Sequence, residues 1–242
     1  MQPYKIAIIL MTAIFCMSLP SLAEEREKKT FYIDGWHIKA DILAPTVKRN
    51  VKLPMVVMFN KASGDRKDYH AFARKLLDKG FASMRVDLRG HGESINRGSF
   101  NPKNKSSFKI LKNSFKDIAV ITEWVRGNPS YNGVALIGAS YSGEHLMLAA
   151  DTGIYADAYI ALSPGSFSDE SIGKIDATKK PWFFLRSQTE LSFFDEIFSK
   201  LNENSKTAKI QIVDGDKHAS DMLIDNPELE DELITWLTLK LK

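Results

Sequence analysis

The six residues GASYSG, 138–143, follow a strand-like run, GVALIG, and open a helix-like run, YSGEHLMLAA. A serine at such a turn can be a nucleophile, because the bend projects its hydroxyl away from the backbone. The bend is so tight that the residues two before and two after the serine must be small. Around Ser140 these are Gly138 and Ser142, with Gly143 next, so the usual G-x-S-x-G reads G-x-S-x-S-G. Taken alone, six such residues also suit an ordinary tight bend. A phosphate loop does not fit, because no Gly-Lys-Ser/Thr follows.

A serine hydroxyl is a poor nucleophile until a base takes its proton. The chain has five histidines. His37 lies in an early hairpin, His70 at the start of a helix and His91 in a loop. His145 lies inside the helix after the bend, where a partly buried polar residue is the plain reading. His218, in IVDGDKHAS, directly follows the last strand-like run. It is also readable as a surface histidine in a Gly–Asp turn. No histidine spacing matches H-E-x-x-H or another metal-ligand pattern.

The elements that must position these residues alternate. FYIDGWHIKADIL (31–43) reads as a hairpin around Asp34–Gly35, and LPMVVMFN (53–60) as a short strand. Tyr69, Phe72, Ala73, Leu76 and Leu77 recur at helical spacing, and Gly80 ends that helix. A strand at FASMRVDL, a helix carrying Phe108 to Val125 and the strand GVALIG follow. After the helix at YSGEHLMLAA come strands at ADAYIALS and PWFFLRS, a helix at LSFFDEIFSKL and a last strand at AKIQIVDG. The final helix has Asn226 as N-cap, Pro227 in its first turn, and an apolar stripe of Leu229, Leu233, Trp236, Leu237 and Leu241. This alternation predicts an α/β fold, a mostly parallel sheet with helices on both faces. Right-handed crossovers bring the carboxyl ends of the parallel strands to one edge, where such folds bind ligands. The polar loops 96–107 and 163–180 are too short for a second domain, so a single domain over 24–242 without a large lid is expected.

The stretch DLRGHGES (87–94) is the most specific in the chain. With the residues before it, from Val56, it resembles the N-terminal half of an α/β-hydrolase. In that family a strand leads to the oxyanion loop, then a helix, then a strand ending in Asp-x-Arg-Gly-x-Gly-x-Ser. Asp87, Arg89, Gly90, Gly92 and Ser94 match that motif one by one. A dinucleotide-binding reading of GHG fails, because Ile95 stands at the third glycine position. From about Phe31 to the C-terminus the chain is similar to small, lidless serine esterases and dienelactone-hydrolase-like members. The resemblance implies a sheet of about eight strands. It makes Asp87, Arg89 and His91 loop-shaping, Ser140 the nucleophile and His218 the base. It puts the acid just past the penultimate strand, at Glu190, with Asp195 as the rival; Asp214 and Asp216 read as turn residues. The order Ser140, Glu190, His218 is the order of that fold. One oxyanion N–H would come from Tyr141 and the other from the loop after VVMF. Many relatives carry His-Gly there; this chain has Asn60-Lys61-Ala62-Ser63-Gly64. Ala62 is the expected donor, with Lys61 next.

The implied chemistry is hydrolysis of carboxylic esters with small or medium acyl groups through an acyl-enzyme, with no cofactor and no metal. Lys61, Phe100, Phe167 and Phe193 are the candidate pocket residues. A thioesterase, amidase or peptidase of the same fold remains open. So does a non-catalytic binding protein, which the changed oxyanion loop favours. The composition is 44% hydrophobic and 26% charged with a net charge of +3, ordinary for a globular domain and too weakly basic to indicate nucleic acid. The partner that the resemblance implies is a small-molecule ester. At the N-terminus MQPYK, the apolar IAIILMTAIFCM and the small residues before Glu24 read as a secretory signal peptide, 1–23, cleaved after Ala23. Its apolar run is shorter than the ~20 residues that span a bilayer. Phe15 before Cys16 argues against a lipid anchor, so no stable membrane anchor is expected after cleavage. These features predict a periplasmic or secreted protein. Cleavage would remove Cys16, the only cysteine, which excludes a cysteine hydrolase, a zinc–thiolate site or a disulfide scaffold.

Overall fold

Asp34 and Gly35, at φ 51° and 77°, turn the chain between β1 (Glu24–Ile33) and β2 (Trp36–Pro45), where the sequence places a hairpin. The computed structural model describes residues 24–165, 173, 175, 178–193, 207–224 and 226–242. The predicted signal peptide, Phe167, Asp195 and most of the predicted helix at 191–201 lie outside the described residues. Six further strands follow: β3 (Leu53–Phe59), β4 (Ala82–Asp87), β5 (Tyr131–Ala139), β6 (Ala158–Leu162), β7 (Trp182–Ser187) and β8 (Ala208–Val213). They form one eight-stranded sheet in the order β1-β2-β4-β3-β5-β6-β7-β8. The β1/β2 and β2/β4 pairings are antiparallel. Every other pairing is parallel.

Parallel strands need crossovers, and helices cover both faces of the sheet. Along β3 the side chains alternate: Met55, Val57 and Phe59 join one core, Val56 and Met58 the other. The first core is closed by α3 (Ser114–Gly127) and α4 (Tyr141–Ala150), through residues such as Ile118, Ile121 and Leu146. The second is closed by α1 (His70–Asp78) and the C-terminal helix α6 (Pro227–Leu241), through Phe72, Leu76, Leu233 and Leu237. The cap of α6 is the predicted one: Asn226 Oδ1 accepts from Leu229 N–H at 3.0 Å. The short helix α5 (Asp221–Ile224) precedes it.

One predicted helix is divided. The span from Phe108 to Val125 contains α2 (Phe108–Leu111), then Lys112 and Asn113, then α3. Phe108 is 49% exposed while Leu111 and Ile118 are buried, so no single apolar stripe runs the whole length. Of the predicted loop 163–180, the described residues Gly173 and Ile175 are helical. The carboxyl ends of β3 through β8 lead, in turn, to the Asn60 loop, the DLRGHGES loop, Ser140, Ser163, Glu190 and His218.

Candidate active site

β5 ends at Ala139 and α4 begins at Tyr141, so Ser140 alone makes the turn. Its φ is 56° and ψ −122°, a left-handed conformation that costs a non-glycine residue ~1–3 kcal/mol and persists only where its surroundings impose it. Here Ser140 N–H donates to Leu162 O at the end of β6 at 2.8 Å, and Gly143 N–H donates to Ser140 O at 2.9 Å. A side chain at Gly138 would not fit, since its Cβ would lie 2.6 Å from Ser142 O. Ser142 is fully buried. Its hydroxyl accepts from Ala139 N–H at 2.7 Å and donates to Phe59 O (3.1 Å) or Ala139 O (3.0 Å). The serine that replaces the usual glycine therefore ties the bend to β3. Ser140 itself is half-buried, and its Oγ has no hydrogen-bond partner among the described residues.

The predicted base and acid are in contact. His218 Nδ1 pairs with Glu190 Oε1, which comes from the 3₁₀ turn Gln188–Phe193 behind β7. Glu190 Oε2 accepts from Ser163 Oγ at 2.7 Å and from Ser187 N–H at 3.2 Å. Ser163 Oγ in turn accepts from Ala219 N–H at 2.9 Å. Burial alone would raise the Glu190 carboxyl, but hydrogen bonds from His218, Ser163 and the Ser187 N–H outweigh it and hold it at about 2. Glu190 is therefore ionised, and engaging Nδ1 leaves His218 Nε2 for a reacting group. Arg186, buried at the end of β7, donates from Nη2 to Pro164 O and so braces the segment after Ser163. Burial lowers its guanidinium to about 10, with Glu190 opposing. Ser163 and Ala219 are themselves left-handed, at φ 42° and 55°.

Asn60 shapes the loop after β3. Its Oδ1 accepts from Leu88 N–H at 2.9 Å, and its Nδ2 donates to Lys61 O at 2.8 Å and Gly64 O at 3.3 Å. His91 Nε2 lies 3.1 Å from Ala62 O, and its ring stacks on Tyr141 at 5.6 Å. Burial lowers the His91 imidazole, and because Nδ1 also lies 3.1 Å from Arg89 O, the neutral ring donates to only one of the two carbonyls. Tyr141 N–H is the first amide of α4 and has no intrahelical partner by position. Ala62 N–H donates to no described residue. The rest of DLRGHGES is a frame. Asp87 accepts from Arg66 N–H at 2.7 Å and Glu93 N–H at 2.9 Å, and Arg89 grips Asp117 through Nε (2.9 Å) and Nη2 (2.5 Å). A Cβ at Gly92, φ 49°, would lie 2.1 Å from Asp87 Oδ2, so only glycine fits.

The predicted pocket residues fare differently. The Lys61 ammonium sits in an ion cluster. The residue is 7% exposed and reaches Asp221 Oδ1 (2.5 Å), Ser220 Oγ (3.2 Å) and Asp68 Oδ2 (3.3 Å), because two carboxylates lie within range. Phe100 packs on Phe108 at 5.2 Å and on His91 at 5.6 Å, in an aromatic row that continues to Tyr141. Phe193 closes the 3₁₀ turn that carries Glu190; its side chain, like Phe167 and the rival acid Asp195, lies outside the described residues. His145 is buried, edge-on to Tyr141, and burial lowers its imidazole to about 4. Sequence reasoning did not single out Ser163, and it named Asn60 only as part of the loop after β3. A cavity of about 320 Å³ lined by Arg26, Asp41, His70, Arg74 and Arg85 includes none of Ser140, Glu190 or His218. Among the described residues no three or more His, Cys, Asp or Glu side chains are grouped to hold a metal ion.

A family model described as X-Pro dipeptidyl-peptidase (S15 family) matches residues 34–173, more than half of the chain. That span holds the Asn60 loop, DLRGHGES and the Ser140 turn, and ends before Glu190 and His218. No curated protein matches the chain. Among solved structures, an esterase of Pyrococcus furiosus superposes with a TM-score of 0.68 at 12% identity over 92% of each chain. A dienelactone hydrolase from Anabaena variabilis gives 0.67 at 14% identity, over 90% of this chain and 99% of that one. Est1E from Butyrivibrio proteoclasticus gives 0.64 at 16% identity, over 88% and 98%. Likeness at these identities shows the fold. With the sheet order, the turn at Ser140 and the family match together, the chain is an α/β-hydrolase and belongs to the X-Pro dipeptidyl-peptidase (S15) family.

Proposed function

We propose that the protein is an exported serine hydrolase that cleaves carboxylic esters with small or medium acyl groups, using Ser140, His218 and Glu190. The observation that carries the reading is the Glu190–His218 pair on the edge where Ser140 is held in a left-handed turn. The two are linked through one short segment: Leu162 O holds the Ser140 N–H, and the next residue, Ser163, holds Glu190 and the Ala219 N–H.

In this reading Ser140 Oγ attacks the ester carbonyl carbon and its proton passes to His218 Nε2. Charge on the former carbonyl oxygen is met by the Tyr141 and Ala62 N–H groups. Collapse breaks the acyl–oxygen bond, and the leaving alcohol takes the proton from Nε2. Water then gives a proton to Nε2 and attacks the acyl-enzyme; collapse breaks the bond to Ser140 Oγ, which takes the proton back from Nε2, and the acid is released. Glu190 stays ionised throughout, holding Nδ1–H and the charge on the ring. The bond between base and nucleophile often tightens only with substrate in place, which accommodates the unpartnered Ser140 Oγ. Each oxyanion donor is worth ~100–1,000-fold in turnover.

Peptide cleavage is the second reading, favoured by the family match over 34–173. p-Nitrophenyl esters of graded acyl length, run beside an Ala-Pro p-nitroanilide, separate the two. The ester reading expects ester turnover that Ser140→Ala abolishes; faster anilide turnover would replace it with the peptidase reading. Folded wild type that turns over neither would favour a binding protein. Export is tested by mass: protein recovered outside the cytoplasm should begin at Glu24, and retention of residues 1–23 would overturn cleavage after Ala23.

A further inference from the structure

The Lys61–Ala62 peptide carries one proposed oxyanion donor, and its carbonyl is fixed. Lys61 O accepts from Asn60 Nδ2 at 2.8 Å and from Gly64 N–H at 3.2 Å. In a planar trans peptide the N–H points opposite to the carbonyl, so these bonds also aim Ala62 N–H. They say nothing of where that amide lies relative to His218, which belongs to a loop about 160 residues further along. The Lys61 side chain spans that gap. Its ammonium, on a side chain only 9% exposed, meets Asp68, Ser220 and Asp221, the last two being the second and third residues after His218. Ser220 is fully buried and its Oγ also reaches Asp68 Oδ2 at 3.3 Å, which closes the cluster into a ring. Gly64 leaves room for it: a Cβ there would lie 2.0 Å from Asp68 Oδ2. Among the described residues, no other hydrogen bond joins residues 60–64 to residues 216–221.

We propose that Lys61 is a positioning residue that holds the oxyanion amide and the histidine loop in register. The proposal rests on the catalytic reading above. A lysine at this place does through a buried ion cluster what backbone contacts alone leave unset. Displacements near 1 Å cost ~100-fold in rate, so a loosened register should appear in turnover and not in substrate affinity.

The test is steady-state ester hydrolysis and fluorophosphonate labelling by wild type, Lys61→Met, Lys61→Arg and Asp221→Asn, each checked for folding by its thermal midpoint. Lys61→Met is expected to lower kcat by ~10–100-fold with KM changed less than about threefold, and to slow labelling in parallel. Lys61→Arg should recover part of the loss. Adding Asp221→Asn to Lys61→Met should cost little more than the worse single change, because both break one cluster. Asp221→Asn, at a partly exposed site, carries the test if Lys61→Met does not fold. A kcat and labelling rate within about threefold of wild type in folded Lys61→Met or Asp221→Asn would overturn the positioning role and leave the catalytic reading standing. A wild type unlabelled at Ser140 would overturn both.

Discussion

Ser142→Gly converts G-x-S-x-S-G to the more usual G-x-S-x-G, and it would be harmless if Ser142 served only by being small. The hydrogen bonds around it predict damage instead. The serine hydroxyl is the acceptor for the buried Ala139 N–H at 2.7 Å. Phe59 O loses one donor but keeps the Tyr69 hydroxyl at 3.0 Å. One buried donor is therefore orphaned, which costs ~1–3 kcal/mol. Glycine in the first turn of α4 adds ~0.5–1 kcal/mol from backbone entropy. With about 2–4 °C per kcal/mol for a chain of this size, the sum of ~1.5–4 kcal/mol lowers the thermal midpoint by roughly 3–16 °C. Ser142→Ala, which keeps a Cβ, should lose only the first term. Calorimetry, with urea midpoints at unchanged m-value, measures both differences. Midpoints for both variants within about 1 °C of wild type would refute the reasoning, since a single kcal/mol already moves the midpoint further.

Glu190→Gln should lower kcat by ~1,000-fold or more, because the neutral amide no longer holds and stabilises the His218 imidazolium. Its stability penalty should also depend on pH. The Glu190 carboxyl lies at about 2 in the folded protein, below the ~4.3 of an unfolded glutamate, so its stabilisation is full above the latter and is lost as pH falls toward the former. The gap between wild type and Glu190→Gln in urea unfolding should accordingly close between about pH 4 and pH 2, and a constant gap would contradict the pairing. His91→Phe keeps a ring against Tyr141 but removes the Nε2 contact with Ala62 O. Its kcat should drop by roughly tenfold with KM little changed, through a loosened oxyanion loop, and an unaltered kcat would show that His91 only fills space.

The readable parts of this fold were those set by local chemistry. Asp34–Gly35 announces a hairpin because the turn needs left-handed residues, and both adopt positive φ. Gly138 and Ser140 announce the elbow because a strand, a small residue and a helix meet within a few positions. Glu190 and His218 were reachable from the ends of their strands and the family resemblance. Ser163 was not, since nothing beside it marks a serine after a strand, and its role exists only once β6, β7 and the His218 loop are adjacent. The partners of the Lys61 ammonium were out of reach for the same reason: Ser220 and Asp221 lie 159 and 160 residues away. The break at Lys112–Asn113 carries no proline or glycine and follows from which side chains the sheet buries.

The central claim is that Ser140 is an activated nucleophile with His218 as its base. Intact mass after incubation with a fluorophosphonate, for wild type beside Ser140→Ala and His218→Ala, tests it directly. The account predicts one adduct on wild type, located at Ser140, absent from Ser140→Ala and absent or strongly slowed in His218→Ala. No adduct on folded wild type, or an adduct that survives Ser140→Ala, would contradict it.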